Sequence, residues 1–86
     1  GIGSELPEIK VKNSDLKKGI SLLDFLSNND IMSSKSEARR AIANQGIKIN
    51  NIIIEDEKKV LQIIDFNQKT LKISYGKKKH YLIKII

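Results

Sequence analysis

The chain has no cysteine. That removes disulfides, thiolate nucleophiles and cysteine-ligated zinc together, and it fits a reducing cytoplasm. A single histidine without a second histidine or a cysteine gives no metal site. No apolar run approaches the roughly 18 residues of a membrane span, and no signal-peptide pattern opens the chain. There is no glycine-rich loop to cradle a phosphate, and no nucleophile paired with a base; the carboxylates sit mostly in charged loops beside lysines. Internal repeats and low-complexity segments are also missing. An initiator methionine is absent, so Gly1-Ile2-Gly3-Ser4 reads as the start of a processed or excised fragment.

Acidic residues are absent from the last 21 positions, and this absence is the informative one. Residues 1–65 carry 10 Lys+Arg and 10 Asp+Glu, whereas residues 66–86 carry Lys69, Lys72, Lys77, Lys78, Lys79 and Lys84 alone. The whole net charge of +6 therefore lies at one end. Segregated charge favours a polyanionic partner through counterion release. The plainer alternative is that lysines keep a small isoleucine-rich domain soluble. The composition, 40% hydrophobic and 30% charged, is globular. At 86 residues the chain makes one small domain that buries only about 60–65% of its unfolded surface.

The organising stretch runs from Ser33 to Asn50. Ser34 and Glu37 have the spacing of a capping box, in which each side chain satisfies a backbone N–H at a helix start. Ala38, Ala41, Ile42 and Gln45 recur at helical spacing on a packing face. Lys35, Ser36, Arg39, Arg40 and Ala43 fall on the other. Gly46 stands where a left-handed helix terminus favours a residue without Cβ. Arginine's planar fork suits bidentate phosphate contact, and a helix N-terminus favours anions. The second face thus reads as RNA-contacting, with Lys35, Ser36, Arg39 and Arg40 as candidates. Its bland alternative is a solvated face with a Glu37–Arg40 pair worth a few tenths of a kcal/mol.

Around this helix the sequence predicts an α+β fold, two short helices packed on a small, mainly antiparallel twisted sheet. Residues 1–5 read as a linker or cloning remnant, and 6–86 as one RNA-binding domain with its link to a larger protein before Leu6. Pro7 keeps Leu6 from helix, and Ile9 and Val11 alternate with charged residues. Asn13-Ser14-Asp15 turns the chain, with a single helical turn before Gly19. Ser21 is positioned to cap a helix bearing Leu22, Leu23, Phe25 and Leu26, which Asn28-Asn29-Asp30 ends. Ile47/Ile49 and Ile52-Ile53-Ile54 read as strands joined at Asn50-Asn51, a turn that lacks the expected glycine. Residues 60–64 form a buried segment of open type. Leu71, Ile73, Tyr75 and then Tyr81, Ile83, Ile85 form a terminal hairpin with lysines at its tip and back. Lys77, Lys78 and Lys79 at that tip either grip a phosphate backbone or block edge pairing. His80 faces away from the core positions and joins the RNA candidates; Tyr81 belongs to the packing.

The Lys35-Ser36-Glu37-Ala38-Arg39-Arg40 phrase, followed by Gly46-Ile47-Lys48-Ile49-Asn50, resembles the core motif of the RNA-binding fold named after small-subunit ribosomal protein four. With the closing Gly76–Lys84 hairpin, the run from about Leu6 to Ile86 resembles the C-terminal domain of bacterial-type tyrosyl-tRNA synthetases. The resemblance implies a non-catalytic appended domain that grips tRNA(Tyr) near its long variable arm and anticodon stem. It implies that a separate domain uses ATP to aminoacylate the tRNA, that no cofactor binds this fragment, and that the full enzyme is a cytoplasmic homodimer without membrane attachment. The chain lacks the histidine-glycine-histidine and lysine-methionine-serine signatures of that catalytic domain. The resemblance also adds Lys48 and Asn50 to the RNA candidates, because this strand start lies beside the basic helix in the resembled fold. Alternatives are a ribosomal-RNA module of a ribosome-rescue protein or pseudouridine synthase, and a basic protein-interaction module.

Overall fold

A computed structural model describes residues 6–86; the linker expected over 1–5 lies outside the described residues. The elements run β1 (Glu8–Val11), α1 (Asn13–Lys18), β2 (Ile20–Ser21), α2 (Leu22–Asn28), α3 (Lys35–Ala43), β3 (Ile47–Ile49), β4 (Ile52–Ile53), β5 (Val60–Leu61), a 3-10 turn (Ile63–Asp65), β6 (Thr70–Tyr75) and β7 (Lys79–Ile85). Strand alternation puts Ile47, Ile49, Leu71, Ile73 and Ile83 on one face of the main sheet, where all five are buried. The helices cover that face with Leu22, Phe25 and Leu26 from α2 and Ala38, Ala41 and Ile42 from α3. Each fully buried Leu or Ile contributes about 1.5–3 kcal/mol through removal of apolar surface from water.

The main sheet has the order β1-β7-β6-β3-β4. Every neighbouring pair is antiparallel except β1 with β7, which run parallel with Ile9 opposite Ile83. The fold is thus α+β with a mostly antiparallel sheet. Two additions complete it: α1 is a full third helix, and β2 pairs antiparallel with β5 in a separate two-stranded sheet. That small sheet explains why Ser21 does not cap α2. Its hydroxyl makes no capping bond, and the Leu22 N–H donates instead to the Lys59 carbonyl at 2.9 Å across the β2–β5 pairing.

The start of α3 follows the expected capping in half. The Glu37 N–H donates to the Ser34 hydroxyl at 3.1 Å, but the Glu37 carboxylate accepts from the Ser33 hydroxyl rather than reaching back to the Ser34 backbone. Its end differs more. Gln45, not Gly46, holds the left-handed conformation, with φ 59°. The Gln45 N–H donates to Ile42 and the Gly46 N–H to Ala41, at 3.0 and 2.8 Å, the paired bonds of a Schellman ending one residue earlier than expected. Gln45 consequently leaves the packing face and is exposed. Gly46 is favoured for another reason: a Cβ there would stand 3.3 Å from the Ala41 carbonyl oxygen, a tight approach, with the Tyr75 ring at an ordinary 3.7 Å.

Asn50-Asn51 needs no glycine. Both residues have positive φ, 51° and 71°, as a two-residue type I′ hairpin requires, and asparagine tolerates that region. The segment over 60–64 is not buried throughout: Leu61 is, but Ile64 is 87% exposed. The Asp65 carboxylate stops the strand. It accepts from the Gln62 N–H and from the Lys59 ammonium, each at 2.9 Å, and so turns the chain outward after two strand residues.

Candidate nucleic-acid interface

Helix α3 divides its basic residues into two stripes. Lys35 and Arg39, one turn apart, point toward acids: Lys35 pairs with Asp24, and the Arg39 Nε lies 3.2 Å from Glu57. Arg39 lines a hollow shared with Glu55, Asp56, Glu57 and Lys58. Ser36 and Arg40 form the second stripe, and Arg40 has no ion pair among the described residues. The pairs on the first stripe are solvent-exposed and contribute at most about 1 kcal/mol each, so they do not lock those cations. The hollow beside Arg39 does carry net negative charge, which phosphate avoids. The free guanidinium is Arg40.

Arg40 faces the terminal hairpin. A cleft of about 400 Å³ is lined by Ser34, Glu37, Arg40, Ala41 and Asn44 from one side of α3 and by Tyr75 from β6. The Gly76 N–H donates to the Gly46 carbonyl at 3.0 Å, tying the start of the hairpin loop to the end of the helix. Across the loop, the Lys79 ammonium stands 5.8 Å from the centre of the Tyr75 ring, in cation–π range. Lys77, Lys78 and Lys79 are all exposed. Arg40, Tyr75 and Lys79 therefore run from the helix to the hairpin, whose exposed loop also carries Lys77 and Lys78. Tyr75 is the member that sequence reasoning assigned to the core; it is only half-buried.

Three other candidates lie elsewhere. Lys48 is on the sheet face turned away from the helices, in register with Ser74, which in turn opposes His80. His80 Nδ1 is hydrogen-bonded to the Ser74 hydroxyl at 2.9 Å. Asn50 has both ends of its amide engaged: its Nδ2 donates to the Asp65 carbonyl and its Oδ1 accepts from the Lys72 N–H, each at 3.0 Å. That amide staples the β3–β4 turn to β6 and to the 3-10 turn. Lys84, on the same outer face as Lys72, pairs with Glu8 at 2.8 Å and holds that carboxyl below its ordinary value through the hydrogen bond and the nearby charge. Among the described residues no cluster of His, Cys, Asp or Glu is arranged to hold a metal ion, and no helix is long and apolar enough to cross a membrane.

Comparison with known proteins gives a consistent result. A family model described as the tyrosine–tRNA ligase SYY-like C-terminal domain matches residues 2–83. The tyrosine–tRNA ligase of Bartonella quintana (strain Toulouse) is 48% identical over 83 residues, covering 95% of this chain and 20% of the relative. Those of Bartonella henselae and Pelagibacter ubique are 44% and 40% identical over 96% and 99% of the chain. The chain thus spans about a fifth of the length of the curated relatives it matches.

Proposed function

This chain belongs to the family of tyrosine–tRNA ligase C-terminal domains, and from that premise we propose that it is the part of such a ligase that grips tRNA(Tyr). The reading is of an appended, non-catalytic domain that holds the tRNA backbone near its long variable arm and anticodon stem. Activation of tyrosine with ATP and transfer to the tRNA fall to the remainder of the ligase, working as a cytoplasmic homodimer. The domain contributes affinity and orientation. Backbone shape and charge carry the grip, because A-form RNA hides its major-groove base edges from side chains.

The observation that supports this reading best is the strip from Arg40 through Tyr75 to the hairpin lysines. Its cations make no ion pair among the described residues, so they are free to meet phosphates that pass beside the cleft. Lys35, Ser36 and Arg39 flank the strip and serve as second-line contacts once their exposed pairs open. Titration of the 86-residue chain against tRNA(Tyr) and a tRNA with a short variable arm, across a salt series, tests the proposal. Tighter binding of the long-armed tRNA with a steep salt dependence is expected. Equal affinity for both would remove the variable arm from the reading, and absence of RNA binding near physiological salt would remove RNA from it.

A further inference from the structure

The acid in the cleft is out of place for a phosphate site. Glu37 lines the same hollow as Arg40 and Tyr75, and its carboxylate repels a phosphate seated there. A carboxylate does accept hydrogen bonds from the N–H groups of a nucleobase. Tyr75 supplies the other half of a base site: a half-buried aromatic ring with Gly46 beside it. The Lys79 ammonium over the ring is held only by cation–π attraction across 5.8 Å and has a long flexible stem, so it can swing aside to a phosphate. Resting on the RNA-binding reading above, we infer that the cleft between α3 and the hairpin receives one unpaired guanine. The base stacks on Tyr75, its adjacent N1–H and N2–H groups donate to the Glu37 carboxylate, and Arg40 and Lys79 hold the flanking phosphates.

Stacking of a base on an aromatic side chain requires a nucleotide already out of the helix, which A-form stems offer at bulges and loops. The site would therefore read a feature of RNA shape that backbone contacts alone miss.

The test uses the 86-residue chain and three short RNA stem-loops of identical stem: fully paired, with one bulged guanosine, and with one bulged abasic nucleotide. The bulged guanosine is expected to bind roughly tenfold more tightly than either of the others. Tyr75→Leu should abolish that difference, so that the three RNAs bind alike, and Tyr75→Phe should keep it. Arg40→Ala should weaken all three RNAs together. Equal binding of the three RNAs to the unaltered chain overturns the base site without touching the backbone reading, and needs no variant to fold. In a fourth stem-loop, a bulged uridine that binds as well as guanosine overturns the role of Glu37. Failure of every stem-loop to bind overturns the RNA reading itself, and the base site with it.

Discussion

Gln45 stores strain at the end of the helix on which the candidate interface is built. A side chain in the left-handed region costs about 1–2 kcal/mol relative to glycine's free access to it. Gln45 is exposed, so its side chain offers little packing in return. Gln45→Gly is expected to stabilise the domain by about 1 kcal/mol, raising its melting temperature by about 4–8 °C for a chain of this size. A lower melting temperature would show that the amide makes a contact worth more than the strain. The same residue shows what was legible. Sequence spacing correctly ended the helix within two residues and correctly predicted a left-handed terminus. It assigned that conformation to Gly46 because glycine is its usual occupant. The actual occupant is set by where α3 ends, and Gly46 instead lies against the Ala41 carbonyl oxygen, which a Cβ there would approach to 3.3 Å. Arg39 and Arg40 are a parallel case: helical spacing put both on one exposed face, but only the fold brings Glu57 to one and Tyr75 to the other.

At the scale of elements, the parallel strand β1 is the least local part of the sheet, since its partner β7 lies at the opposite end of the sequence. Its apolar alternation was legible; its parallel register was not, because nothing in four residues says which distant edge they will join. Glu8 and Lys84, on adjacent strands of the outer face, secure this junction electrostatically. Because Lys84 lowers the native Glu8 pKa below its ordinary 4.5, the linkage adds stability above that pH and loses it as pH falls through the depressed native value. Glu8→Gln is therefore expected to melt below the unaltered chain at neutral pH, with the gap closing as the pH is lowered past the depressed value. Melting curves across a pH series check this, and a gap that persists in acid would assign the effect to packing. Residues 59–65 teach a further lesson at this scale. Gln62-Ile63-Ile64-Asp65 carries capping spacing in plain view, but an isoleucine pair between an amide and a carboxylate reads as core until the capping bonds are seen.

For the molecule as a whole, charge at one end of the sequence does not become charge on one patch. Of the six lysines after residue 65, three lie at the hairpin tip, Lys72 and Lys84 lie in neighbouring positions across β6 and β7 on the outer sheet face, and Lys69 lies in the turn before β6. The domain measures 36 × 29 × 21 Å, and the helix layer lies on the sheet face opposite those two lysines. A single RNA backbone following α3 and the hairpin thus meets Arg40 and Lys77–Lys79 without engaging the outer face. The central claim is that this strip, with Arg40 as its free guanidinium, carries the grip. The most direct measurement compares tRNA(Tyr) affinity across a salt series for Arg40→Ala and Arg39→Ala, two changes of equal charge on adjacent residues. The account predicts that Arg40→Ala weakens binding about tenfold and reduces the salt slope by about one, while Arg39→Ala costs several-fold less. Equal losses, or a larger loss at Arg39, would contradict it and move the RNA to the side of the helix that faces Glu57.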